Sequence, residues 1–208
     1  MSRARPALTR DAVLEAALRV IDERGLDACT MRAVARELGV EAMSLYWHVD
    51  GKDALLDGVV ERVLGEMPGA SGAAAGWRAD LDEFARGVRG VALAHPRSVP
   101  LLAARARAAY AAAGQVAEGR IASLEAAGFD RPTAIRAART VARYVVGFTL
   151  AEGGDRSPPV AADPGASSPV LGELLRAVAR EDQEELFAFG LEALLDGLEV
   201  RLGRSRPA

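Results

Sequence analysis

The chain has one cysteine, one lysine and two histidines among its 208 residues. A lone Cys29 rules out an internal disulfide framework and leaves no thiolate cluster for zinc. It fits a reducing compartment, with the role of a small apolar filler. His48 and His95 offer no metal-ligand spacing, and neither a nucleophile elbow nor a phosphate loop occurs, so no enzyme, no cofactor and no metal are expected. No apolar run approaches the roughly 20 residues that cross a bilayer. The opening Met-Ser-Arg-Ala-Arg-Pro lacks the apolar stretch of a secretion signal, so a cytoplasmic chain without membrane contact is the expectation. Strand signals are missing as well: Val, Ile and Thr never gather into alternating runs with hairpin turns.

What is present is a chain 50% apolar, with 26 basic residues against 29 acidic ones and a formal net charge of −3. Total charge gives no sign of a nucleic-acid partner; its distribution says more. Arg3, Arg5 and Arg10 stand in the first ten residues without an acid, a basic arm able to neutralise phosphates, though such tails are as often merely solvated.

Alanine-rich stretches punctuated by Gly and Pro predict an all-α chain. A first helix is expected over 9–25, with Thr9 as N-cap, Asp11 in the positive first turn and Gly25 closing the end. Leu14, Leu18 and Ile21, with Val13, Ala17 and Val20, mark its buried side. A second helix, 30–38, is capped by Thr30 and stopped by Gly39. After Gly39-Val40-Glu41 a third runs from about Ala42 to His48. Asp50 is the expected cap of a fourth reaching Met67, which Pro68-Gly69 ends. Residues 69–76 read as a connector. Further helices are predicted from Trp77 to His95 and over 115–127, 132–152, 170–180 and 183–202, with Pro96 and Pro100 as breaks and a loop over 153–169. Leu93 is among the apolar positions of the first of these, and Glu181-Asp182 with Glu184-Glu185 read as a solvated helix start.

Two short helices joined by a three-residue turn with glycine are the signature of a helix-turn-helix, in which the second helix enters the major groove. Gly39 supplies the turn, and Leu38, Val40 and Leu45 hold the pair together. Residues 42–48 read Ala-Met-Ser-Leu-Tyr-Trp-His, and four consecutive residues at about 100° each span most of a helix circumference. Some of these rings therefore point outward. Against phosphate, Tyr46 and His48 can donate hydrogen bonds, and Trp47 can lie on sugar and base-methyl surface. The competing arrangement is an aromatic mini-core against the first helix.

The strings Thr30-Met-Arg-Ala-Val-Ala-Arg-Glu-Leu-Gly-Val, Ser44-Leu-Tyr-Trp-His-Val and Lys52-Asp-Ala-Leu-Leu-Asp resemble the DNA-binding domain of the TetR (tetracycline repressor) family. His95-Pro96, Gly128-Phe129, Val146-Gly-Phe148 and the run from Phe187 to Leu198 are similar to the C-terminal domain of the tetracycline repressors themselves. The resemblance implies an N-terminal three-helix helix-turn-helix domain over 1–67 and a C-terminal helical ligand-binding and dimerisation domain over 68–208. It places Thr30 and Arg32 against phosphate and base, and Ala42, Met43 and Ser44 at the base-reading start of the recognition helix. Tyr46, Trp47, His48 and Lys52 match backbone-contacting positions. Ala42 and Met43 stand where the tetracycline repressors have glutamine and proline. Glutamine pairs with adenine and alanine offers only apolar contact, so a different operator is expected.

One recognition helix reads too few base pairs, and a two-fold pair sets two of them about 34–36 Å apart. The last helix carries Leu186, Phe187, Leu191, Leu194, Leu195, Leu198 and Leu202, with Gly190 and Gly197 on one face for close approach; 132–152 supplies Val141, Val145, Phe148 and Leu150. By resemblance these two helices build a homodimer interface; the alternative is that both fill the monomer core. A small-molecule effector is expected between the middle helices, with Trp77, Phe84, Leu102, Tyr110, Tyr144 and Phe148 as candidates, each of them otherwise ordinary core. By resemblance, Leu102 stands where the tetracycline repressors place a magnesium-ligating histidine, and Ala151, beside Glu152, where they place a glutamate. The implied effector is metal-free and mainly apolar or aromatic. The expected function is a ligand-responsive repressor of a double-stranded DNA operator. The alternative is a helical protein-binding adaptor that no longer reads DNA, and Arg32 and Lys52 discriminate between the two.

Overall fold

Helix start and stop signals set the N-terminal elements one by one. The computed structural model describes residues 8–67, 76–112, 114–154 and 180–205, with Val170 and Glu173 besides, and every regular element among them is helical. Helix α1 (Arg10–Arg24) begins where the Thr9 hydroxyl oxygen accepts from the Ala12 N–H at 3.2 Å, and it stops at Gly25. Val13, Leu14, Ala17, Leu18, Val20 and Ile21 are all buried, as their spacing predicts. A 3-10 turn (Leu26–Ala28) then brings Cys29 into the core, its Sγ near the Ala17 carbonyl. Burial pushes the thiol pKa up against the pull of the Lys52 charge, as suits an inert filler. Helix α2 (Met31–Leu38) is capped by Thr30, whose hydroxyl oxygen accepts from the Ala33 N–H at 3.1 Å, and ends on Gly39 in the left-handed region.

Helix α3 (Ala42–Leu45) is shorter than the predicted 42–48. After Leu45 the chain tightens, and the His48 N–H bonds the Leu45 carbonyl at 2.9 Å in a turn of three rather than four. The Val49 N–H reaches the same carbonyl at 3.0 Å, and Val49 joins Leu45 in the core. Gly51, at φ 93°, then swings the chain into α4 (Lys52–Gly65). Gly51 and not Asp50 occupies the cap: a positive φ strains a residue with a Cβ, so backbone geometry overrides the side-chain acceptor.

The body comprises α5 (Gly76–Ala94), a 3-10 turn (Pro96–Ser98), α6 (Val99–Ala104), α7 (Ala106–Ala112), α8 (Gly114–Ala127), α9 (Arg131–Gly154) and α10 (Gln183–Ser205). Pro100 falls in the first turn of α6, where a missing N–H has no helical partner to lose, so it helps start a helix rather than break one. Helix α9 passes its predicted end. The rest of the expected loop, and most of the expected 170–180 helix, lie outside the described residues. Leu81, Val88, Leu124, Val141, Val145, Phe187, Leu191 and Leu195 form the body's core. Leu93 is exposed instead, because the same turn of α5 sends Val91 inward.

Val91 belongs to the other core. The apolar interior of the head does not close at residue 67 but takes in Val91, Leu101 and Leu102, so α1–α4 share it with α5 and α6. Polar ties reinforce the join. His95 sits between Asp22 (Nδ1–Oδ2 2.7 Å) and Glu66 (Nε2–Oε2 2.9 Å), and Arg97 donates to the carbonyls of Asp22 and Glu23. Arg105, at the break between α6 and α7, donates to Asp57 at 2.6 Å and to Asp53, both on α4. Burial draws the His95 pKa down, but hydrogen bonds to Glu66 and Asp22, with their charges, outweigh it and raise it.

Candidate functional site

The reading face follows from what α3 must bury. Leu45 and Val49 go fully into the head's core, which turns the intervening and preceding side chains outward: Trp47 is 89% exposed, Met43 73% and Tyr46 48%. The aromatic mini-core alternative therefore does not form. Leaving a large apolar side chain in water forgoes about 1.5–3 kcal/mol of burial, and a cluster of such side chains marks a surface meant to be covered. Ala42, Ser44 and His48 are half-buried between the two sets, while Thr30, Arg32 and Lys52 are exposed.

Charge sorts itself the same way. Elsewhere in the described head the arginines are engaged: Arg10 with Glu61 at 2.9 Å, Arg19 with Glu15 and Glu37, Arg24 with Glu23 and Glu37, and Arg62 with Glu15. Arg32, Arg36 and Lys52 form no ion pair among the described residues, and all three are exposed. Arg36 was missed in the sequence reading; its signal was the four-residue step from Arg32, which puts both on one side of α2. The Thr30 oxygen is committed as a cap acceptor, yet its O–H remains free to donate. The nine predicted positions, with Arg36, thus lie on α2 and its Thr30 cap, α3, the adjoining turn and the first residue of α4.

Helix α4 carries that face to a second site. Its first residue is Lys52, and its last turns, Glu61, Leu64 and Gly65, with Met67 beyond, wall a cavity of about 680 Å³. The remaining wall comes from α5 (Asp80, Glu83, Phe84, Val88), α6 and α7 (Leu102, Ala103, Ala106, Ala109, Ala112), Arg120 of α8, and α9 (Arg139, Ala142, Arg143, Val146, Gly147, Leu150). Of the predicted effector positions, Phe84 and Leu102 line this space. Three others do not. Trp77 packs edge-on against Phe129, ring centroids 5.4 Å apart, and Tyr144 and Phe148 cluster with Phe187 on the side of α9 that faces α10. The side chain of Tyr110 lies outside the described residues.

The charged groups of the wall were not foreseen. Arg120 is 8% exposed, its guanidinium 3.8 Å from the centroid of the Phe84 ring, and its buried Nε has no hydrogen-bond partner among the described residues. Burial lowers its pKa, against the weaker opposing effect of the Asp80 and Glu83 charges. Arg89, the other buried arginine among the described residues, is fully engaged on the far side of α5. It donates to both Glu152 oxygens at 2.9 and 3.3 Å and to Glu184, and lies over the Phe187 ring. Glu181, Asp182, Glu184 and Glu185 are all exposed, the solvated helix start expected, but from that start Glu184 also reaches Arg86 and the buried Arg89. The start is capped by Asp182, whose Oδ1 accepts from the Glu184 N–H.

The apolar stripe predicted for dimerisation divides. Phe187, Leu191 and Leu195 fill this chain's own core, while Leu186, Leu194, Leu198 and Leu202 are partly buried. Gly190 serves the same packing: a Cβ there would stand 2.8 Å from Tyr144 Cζ, and the Tyr144 hydroxyl donates to the Phe187 carbonyl at 2.8 Å. Around Gly197 there is open space, so the two glycines do not share one role. Among the exposed residues of α10, Phe189, Ala193, Gly197 and Val200 are spaced four, four and three apart along one side, flanked by the exposed Glu192 and Asp196. Among the described residues no helix is long and apolar enough to cross a membrane.

The family model described as bacterial regulatory proteins, tetR family, matches residues 13–59, and the tetracyclin repressor-like C-terminal domain matches residues 70–202. An HTH-type transcriptional regulator of Saccharopolyspora erythraea is 39% identical over 73% of this chain and 64% of its own length. The class D tetracycline repressor protein of Escherichia coli is 31% identical over 94% of this chain and 91% of its own. Among solved structures, the Streptomyces coelicolor TetR family protein ActR in complex with (S)-DNPA superposes with a TM-score of 0.73, 29% identity and 96% and 100% coverage of the two chains. BioQ with its double-stranded DNA operator gives a TM-score of 0.68 at 29% identity, covering 92% of this chain and 98% of that one. A capped helix-turn-helix with an outward Trp47, carried on a helical body with a cavity walled in part by the end of α4, is thus matched along nearly its whole length, and the chain belongs to the TetR family of bacterial transcriptional regulators.

Proposed function

We propose that this chain is a cytoplasmic, ligand-responsive repressor. It binds a palindromic operator as a homodimer through Thr30, Arg32, Arg36, residues 42–48 and Lys52, and leaves it when a small molecule fills the cavity. The observation that carries the reading is α4. One helix of about 20 Å has its first residue on the reading face and its last turns in the cavity wall, so a ligand that moves one end re-aims the other. A ligand acts only through differential affinity for the two spacings of the heads; about 1–3 kcal/mol, or roughly 5–150-fold in operator affinity, makes a working switch. The exposed stripe of Phe189, Ala193, Gly197 and Val200 supports pairing through α10 with α9 beside it, the arrangement that sets two recognition helices one DNA turn apart. Leu102 in the wall, where a metal-ligating histidine would stand in the tetracycline repressors, supports a ligand held without metal.

Fluorescence anisotropy with the DNA upstream of the chain's own coding sequence, backed by selection from a random pool, tests this. Nanomolar, salt-sensitive binding about a thousandfold tighter than to random DNA is expected. No preferred sequence from either source would overturn it in favour of a protein-binding adaptor.

A further inference from the structure

Guanidinium groups are rarely buried alone, because a desolvated cation needs a partner to compensate the water it loses. The two buried arginines among the body's described residues differ. Arg89 has two carboxylates; Arg120 has none within ion-pairing distance among the described residues, and its Nε has no hydrogen-bond partner among them. The Phe84 ring covers one face of the Arg120 guanidinium at 3.8 Å and cannot use the donors at its edge. Those donors belong to a side chain that lines the cavity. Arg139 and Arg143, one helical turn apart on α9, line the same space and form no ion pair among the described residues, whereas the acid on the α4 wall, Glu61, is already held by Arg10 at 2.9 Å.

We propose that the cavity takes an anion: a flat, largely apolar molecule whose carboxylate or equivalent acidic group meets the edge of Arg120 while its rings lie against Phe84, Val88, Leu102 and Val146. The proposal rests on the cavity being the effector site and adds the chemical class of the ligand. A cationic ligand drawn to Asp80 and Glu83 would leave Arg120 buried beside a second positive charge. A neutral one would leave its donors unmet after expelling the water that could serve them. An anion resolves both, and arginine's planar fork suits a two-oxygen acid group.

Two probes that share a ring system separate these cases. 1-Anilinonaphthalene-8-sulfonate carries an acid group, and N-phenyl-1-naphthylamine lacks it. Titrated by fluorescence into the full chain, the sulfonate should bind at least tenfold more tightly than the amine. Arg120→Met should bring that ratio close to one, and Arg120→Lys, which keeps the charge, should retain part of it. Equal affinities in the unmodified protein would overturn the proposal without any variant. A ratio that survives Arg120→Met in a protein with an intact helical spectrum would overturn it too. If neither probe binds, the effector-site reading of the cavity fails, a result distinct from equal binding of both.

Discussion

Head and body both leave cations without partners, but the two omissions do not carry the same weight. On the head's surface an unpaired arginine is solvated and costs little, so Arg32, Arg36 and Lys52 say something only together. Every other arginine of the described head is paired, and Trp47 and Met43 stand bare beside the free three. In the body a single unpaired cation is enough, because Arg120 is buried and, among the described residues, has no carboxylate such as those that satisfy Arg89. The lesson is that a missing partner is informative in proportion to what its absence costs, and that surface sites need a pattern where buried ones need one residue.

The largest expected effect comes from breaking the satisfied side of that comparison. Arg89→Met leaves Glu152, largely buried, without its bidentate partner, and should cost about 3–5 kcal/mol in urea unfolding. Arg120→Met removes a cation that has no ion-pair partner among the described residues and should fall within about 1 kcal/mol of the parent protein, or above it. Equal losses would erase the distinction between the two arginines. Next in size is the head: Trp47→Ala should weaken operator binding about tenfold, a hot-spot loss of roughly 1.4 kcal/mol, with the unfolding midpoint unmoved. A shifted midpoint with operator binding intact would make the indole a structural residue.

The smallest effect is at the join. The raised His95 pKa means that the folded chain holds its proton more tightly than the unfolded one. The stabilisation is then complete below the ordinary pKa of about 6.5 and fades as pH rises through the folded value. Comparing the protein with His95→Gln, the gap in unfolding free energy should narrow between pH 6 and pH 9. A gap that stays constant would show that Asp22 and Glu66 hold His95 by shape alone.

Legibility followed the range of the interactions involved. The caps at Thr9 and Thr30, the stops at Gly25 and Gly39, and the buried side of α1 are short-range matters, and the sequence shows them directly. Asp50 misled because a good side-chain cap lost to a backbone that needed Gly51. In the body, α9 is apolar on two sides, and only its neighbours decide that Tyr144 and Phe148 face α10 while Ala142, Val146 and Gly147 face the cavity. Gly190 reads as an interface glycine until the Tyr144 ring is seen to lie against it. Arg120, amid Gly, Glu and Ala, looks like one more solvated charge, since its burial depends on Phe84, thirty-six positions upstream.

That the α2–α3 face meets phosphate is tested most directly by the salt dependence of operator binding, measured side by side for the unmodified protein and Lys52→Ala. The logarithm of affinity should fall steeply with the logarithm of salt concentration. Losing Lys52 from both subunits should shallow that slope by about 2, roughly one per phosphate contact removed, with little change in sequence preference. A slope identical in the two proteins would contradict a phosphate-bound Lys52 and the reading face built around it.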